Sequence, residues 1–328
     1  MFKKILVPLD QSTLAEQAIG QAMAVARGSA AEVDLVLVHE PLAFEGNVDV
    51  PWYDAERQQE SAYLQGIAEE IRSGSHVPVT HEIVRGAPAE MIVRHARDID
   101  ADLIVMTSHG RTGLSRMWLG SVADSVARQA HVPVLMLRPT DTPMARAAAR
   151  KPFHHVLLTT DGSALSWSAL HAAVGLAKAM GASLTLLEVV RPVPQLLPIP
   201  PFTPDAYVVN VPDEEVTNEL VAERAAKLND AARRLGDAEH LSVNAVVMVG
   251  NHVAKTIVDY AASHSVDVIA MSTHGRGASR YVFGSVADKV LRSSDVPVLV
   301  QHPEKVVEVG ENFTSADVAD QVPTMSGH

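Results

Sequence analysis

The sequence predicts an α/β protein made of two tandem doubly wound domains, each a five-stranded parallel sheet flanked by helices. Three observations predict it. First, the chain writes itself twice: KILVPLD (4–10) answers to HVLLTTD (155–161), VDLVLVHEP (33–41) to LTLLEVVRP (184–192), and HVPVLMLRP (131–139) to DVPVLVQHP (295–303). Second, each copy alternates continuous Val/Ile/Leu runs, the pattern of strands buried on both faces, with helically spaced segments. Third, strand–helix–strand order requires right-handed crossovers, which put helices on both faces of the sheet. A repeat of about 150 residues is a whole domain rather than a solenoid unit.

In the first copy the strands are expected near 3–9, 33–39, 78–84, 102–107 and 133–138. The helices are expected near 13–27, 54–73, 88–98 and 121–130. Ala15, Ala18, Ile19, Ala22 and Val25 give the first helix one apolar face, and Thr13 with Glu16 reads as its capping box. In the second copy the strands are expected near 155–160, 183–190, 243–249, 267–272 and 297–301. Its helices are expected near 164–180, 214–236, 252–263 and 285–293. The offset between copies grows from 151 residues at the first strand to 164 or 165 at the fourth, so the second copy carries an insertion. Residues 192–212, PVPQLLPIPPFTPDAYVVNVP, are that insertion, too rich in proline for a helix or a central strand. The organisation is therefore domain one at 1–138, a linker at 139–153, domain two at 154–302, and a polar tail at 303–328 expected to be mobile.

Composition narrows the function. The net charge of −12 argues against nucleic acid as the main partner, since phosphate-backbone binding needs a basic face. No cysteine means no disulfide, no thiolate catalysis and no Cys-based zinc site. The apolar run at the start stops at Pro8 and Asp10, too early for a signal peptide, and no apolar stretch is long enough to span a membrane; a cytoplasmic protein is expected.

One loop stands out because it too is repeated: SHGRTGLSRMWLGSVAD (108–124) and THGRGASRYVFGSVAD (273–288). Each leaves the carboxyl end of a strand, where open α/β sheets bind ligands, and ends where a helix begins. Gly110 and Gly120, and Gly275 and Gly284, let backbone N–H groups approach a ligand. The helix N-termini at Ser121 and Ser285 offer unpaired N–H groups and a positive dipole end, and Arg111, Arg116, Arg276 and Arg280 add charge. A phosphate suits all three. The competing reading is plain helix capping, with Ser121 and Asp124, or Ser285 and Asp288, as ordinary cap residues. Neither GxxxxGK[ST] nor a GxGxxG after the first strand is present.

These residues resemble the universal stress protein family in its tandem two-domain form, whose fold is Rossmann-like, of the adenine nucleotide alpha hydrolase type. Its nucleotide-binding members carry G-x2-G-x9-G-[ST] from the fourth strand into the last helix. The first copy reads Thr107, Ser108, His109, Gly110, nine residues, Gly120, Ser121, and departs only at Thr107. The second reads Ser272, Thr273, His274, Gly275, eight residues, Gly284, Ser285, lacking the first glycine and one spacer residue. The resemblance implies ATP, with Mg or Mn, as ligand. It implies contacts from Pro8, Asp10, Val38, Met106, Thr107, His109, Gly110, Gly120, Ser121, Val122 and Ala123. In the second copy it implies Thr160, Asp161, Val189, Met271, Ser272, Gly275, Gly284, Ser285, Val286 and Ala287. Asp10 and Asp161 would face a ribose or a phosphate-bound cation, Val38 and Val189 the adenine edge; otherwise the aspartates are turn formers and the valines plain core. A catalytic His109 or His274 lacks a nucleophile partner in sequence. The family pairs through its last strands, here 132–138 and 296–302, so the two copies are expected to pair within one chain, with a homodimer and an unknown protein partner left open. Three readings stand at this point. One is an ATP-binding stress-response or signalling protein that is not an enzyme. The others are an interaction module with drifted pockets and a slow ATPase using Asp10 and a metal.

Overall fold

A computed structural model describes residues 1–40, 54–108, 119–140, 152–195, 212–274 and 283–303. Most of the linker, most of the Pro-rich insertion, the tail beyond Pro303, and His109, Gly110, Gly275, Arg111, Arg116, Arg276 and Arg280 lie outside the described residues.

The first half contains β1 (Lys4–Leu9), α1 (Gln17–Ser29), β2 (Glu32–His39), α2 (Asp54–Gly74), β3 (Val79–Arg85), α3 (Pro88–Asp98), β4 (Leu103–Thr107), α4 (Ser121–Gln129) and β5 (Val134–Leu137). The second contains β6 (His155–Thr160), a 3₁₀ turn at Ser166–Ala169, α5 (Leu170–Met180), β7 (Ser183–Val190), α6 (Glu214–Glu239), β8 (Val243–Val249), α7 (Val253–Ser263), β9 (Val268–Ser272), α8 (Ser285–Ser293) and β10 (Val298–Gln301). All ten strands join one sheet in the order β3-β2-β1-β4-β5-β10-β9-β6-β7-β8. Within each half the strands are parallel; β5 and β10 pair antiparallel, with Leu299 opposite Leu135. The expected pairing of the last strands is thus made inside the chain.

The inner strands are buried on both faces, as their continuous apolar runs require. Each face carries one apolar layer that crosses from half to half. One holds Ile5, Val7, Leu35 and Val105 with Leu158, Leu184 and Val268, under α1, α2, α5 and α6. The other holds Leu6, Ile104 and Met136 with Leu157, Ile269 and Val298, under α3, α4, α7 and α8. α1 and α5 approach so closely that a Cβ on Gly28 would lie 1.6 Å from the Ala179 carbonyl oxygen.

Three local expectations need correction. Thr13 and Glu16 do not box the first helix. α1 starts at Gln17 without a side-chain cap, because Asp10 first folds the chain into a tight turn in which Ser12 Oγ accepts from Ala15 N at 3.1 Å. Ser121 and Ser285 are not caps either: Gly120 and Gly284 are the N-cap residues of α4 and α8, and no side chain caps them. α6 runs past Gly236 to Glu239 and stops at His240 with φ 54°; the glycine serves close packing, since a Cβ there would sit 3.1 Å from Leu241 O.

Candidate functional site

In each half the strand order reverses between the first and fourth strands, β1/β4 and β6/β9. Such a reversal opens a crevice at the carboxyl ends of the strands. The β1–β4 ladder ends at Leu6 opposite Ile104, before Pro8, which has no N–H to extend it. The β6–β9 ladder ends likewise at Leu158 opposite Ala270. Asp10 and Thr107 follow beyond the first ladder, Asp161 and Ser272 beyond the second.

The helix after the loop faces this crevice. Gly120 N donates to Ser108 O at 2.8 Å and Gly284 N donates to Thr273 O at 2.7 Å, fixing both helix starts against the strand end. A Cβ on Gly284 would come within 2.9 Å of Thr273 O, so the close approach needs glycine. The following N–H groups, of Ser121–Ala123 and Ser285–Ala287, are those an α-helix cannot pair internally. With the dipole they favour an anion. Asp124 and Asp288, expected as alternative caps, are engaged elsewhere. Arg128 donates to Asp124 through Nε at 2.8 Å and Nη2 at 3.0 Å, and Arg292 Nε donates to both oxygens of Asp288 at 3.0 Å. These bonds hold both guanidinium pKa values above the ordinary one.

The apolar candidates meet on this same face of the sheet. Met106 and Ala123 are buried there with Val38 and Val122 packed beside them; Met271, Ala287, Val189 and Val286 repeat the arrangement. Pro8 is buried and shares the strand parity of Leu6.

The aspartates form turns. Asp10 Oδ1 accepts from Ser12 N at 3.0 Å and from Ser12 Oγ at 2.6 Å; Asp161 Oδ1 accepts from Ser163 N at 2.9 Å and Ser163 Oγ at 2.6 Å. The residue between has positive φ in both, 64° at Gln11 and 78° at Gly162. Thr160 points elsewhere: its hydroxyl meets Ser166 Oγ at 2.8 Å and accepts from Gly162 N at 2.9 Å, on the face of Val156 and Leu158. The positional equivalent of Pro8 is Thr159, buried, which sequence reasoning passed over.

The second half has internal contacts of its own at the strand end. Ser168 Oγ donates to Ser272 Oγ at 3.0 Å, and Ser272 Oγ accepts from His274 N at 3.2 Å. Thr273 Oγ1 lies 2.8 Å from His274 Nδ1 and 3.2 Å from His302 Nδ1, with the two rings edge-on at 4.8 Å. Burial, then the neighbouring His302, pushes the His274 pKa down, and burial lowers that of His302. Arg138 occupies the place of His302 in the first half and donates to Arg292 O at 2.6 Å. Among the described residues no cluster of three or more His, Asp or Glu can hold a metal, and no helix is long and apolar enough to cross a membrane.

Comparison with known proteins agrees with this geometry. A universal stress protein of Methanocaldococcus jannaschii is 35% identical over 145 residues, covering 42% of this chain and 83% of the relative. One from Mycobacterium bovis is 28% identical over 254 residues, 76% of this chain and 78% of the relative. The crystal structure of a universal stress protein from Archaeoglobus fulgidus matches with a TM-score of 0.65 at 20% identity, over 91% of this chain and 98% of that one, a likeness of fold. The model of the universal stress protein family matches residues 1–138 and again residues 152–302. The chain, folded as two like halves around one continuous sheet, belongs to the universal stress protein family.

Proposed function

We propose that the chain binds an adenine nucleotide, ATP with Mg or Mn, at the crevice between the fourth strand and the last helix. We further propose that it acts in stress response or signalling through its conformation or its partners rather than by catalysis. The observation that carries this reading is the pair of uncapped helix starts at Gly120 and Gly284, each held against its strand end by a glycine N–H. The phosphates would lie on the N–H groups of Ser121–Ala123, the base against Val38 and Met106. Asp10, at the end of the first strand, would face a ribose or the cation. One oxygen of Asp10 is committed to Ser12, so its part is secondary to that of the helix.

The first half is the stronger site. It keeps the nine-residue spacer, whereas the second is one residue shorter. The shorter spacer favours a second reading for the second half alone, as scaffold. The test is to denature the purified chain and identify and quantify any nucleotide released, then to titrate with Mg-ATP. About one equivalent per chain, lost in Gly120→Val, is expected. No released nucleotide and no Mg-ATP binding would leave the interaction-module reading in its place.

A further inference from the structure

α4 and α8 lie side by side in opposite senses, one from each half. Arg292 Nη2 reaches Asp124 Oδ1 at 3.3 Å, and Arg128 Nη2 reaches Asp288 Oδ1 at 3.5 Å. With the pairs inside each helix, the four side chains close a ring across the junction. The positions correspond one to one, offset by 164 residues.

Beyond the ring, Arg128 makes a further contact with the second half. The guanidinium carbon of Arg128 sits 4.9 Å from the centroid of the Phe283 ring. Phe283 is buried and immediately precedes Gly284, the N-cap of α8. In the first half the equivalent residue is Leu119, an aliphatic side chain. Arg128 is well suited to the contact. Its Nε and Nη2 both donate to Asp124, which fixes the guanidinium plane from the first half, and a planar cation stacks on an aromatic face. Arg128 also adds to the positive charge that Arg292 places on Asp288 in the first turn of α8.

We infer that Arg128, a residue of the first half, is a positioning residue for the start of α8 in the second half, which it holds through Phe283. This rests on the nucleotide reading. The support passes from the first half to the second.

The test uses the full chain and Mg-ATP as probe. Gly120→Val leaves the second site to be measured, and Gly284→Val the first. Arg128→Met should weaken binding about fivefold to tenfold in the Gly120→Val protein and less than about twofold in the Gly284→Val protein. Arg128→Lys, which keeps the charge but loses the planar stack and the two-nitrogen bond to Asp124, should recover only part of the loss. Equal weakening at both sites, or none at the second, overturns the inference. If neither protein binds Mg-ATP, the nucleotide reading fails by itself. The positioning role is then decided by amide hydrogen exchange in the ligand-free chain, as it is if the second site alone binds nothing or a glycine variant does not fold. Arg128→Met should speed exchange over residues 283–288 relative to 119–124, and unchanged exchange overturns it.

Discussion

At Ala30, α1 ends in the left-handed conformation, φ 55°, and its N–H closes on Ala26 O. Gly181 ends α5 at the matching position with φ 63°. Alanine in this conformation carries a Cβ penalty that glycine does not. Ala30→Gly is therefore expected to stabilise the chain by about 1 kcal/mol, less the greater entropy of the unfolded glycine, and Gly181→Ala to destabilise it by a similar amount. Denaturant midpoints at constant slope would check both. The same scale shows where sequence reading fails. The string Ser-Thr-Leu-Ala-Glu contains a good capping box at Thr13 and Glu16, yet Asp10 captures Ser12 first, and Glu16 instead accepts from the Tyr63 hydroxyl at 3.0 Å. Tyr63 is 47 residues away, and no local rule contains it.

Elements were far more legible than caps. Strand bounds follow the apolar runs, and β6, β7 and β8 fall on their expected residues, β8 although it lies at the sheet edge and is only partly buried. One interruption in β2, Asp34, points to something the periodicity could not supply. Asp34 is buried, and Oδ1 meets His95 Nε2 of α3 at 2.8 Å while Oδ2 accepts from Thr80 Oγ1 of β3 at 2.5 Å. Glu82 approaches the other ring nitrogen at 3.9 Å. The bond to Asp34 raises the His95 pKa, outweighing burial. A histidine whose folded pKa lies above its unfolded value of 6.5 binds the proton more tightly when folded. That stabilisation is complete below 6.5 and fades as pH rises through the folded value. The stability difference between the native chain and Asp34→Asn should accordingly be larger at mildly acidic pH than at alkaline pH, measured by urea denaturation across that window. A difference independent of pH would mean that the proton is not part of the contact. His274 and His302 carry the opposite sign: their lowered values cost stability as pH falls below 6.5. Glu82→Gln serves as a control, since its contact with His95 is long and its side chain exposed.

At the scale of the molecule, the repeat foretold two like halves and the resemblance foretold their last-strand pairing. The helix layers on either side of the junction were not legible. Gly28 against Ala179 and Asp124 against Arg292 join residues 151 and 168 positions apart, and neither carries a local pattern. Gly28→Ala tests the first of these. Its new Cβ meets backbone, which cannot swing aside as a side chain can, so α1 and α5 must separate. The expected cost is about 1–3 kcal/mol or more, with the single unfolding transition splitting as the halves lose their shared layer. Calorimetry would show one peak becoming two.

Because β5 and β10 meet head to tail, the carboxyl ends of the two strand sets lie on opposite rims of the sheet. The crevices therefore open away from each other. Two nucleotides joined by a short tether cannot engage both at once, since the second binding event gains no effective concentration when the tether cannot span the sites. For such a ligand this chain is monovalent twice over. Were both crevices occupied, two separate molecules would approach from opposite ends without crowding, and the fused pair would serve as a connector rather than a clamp.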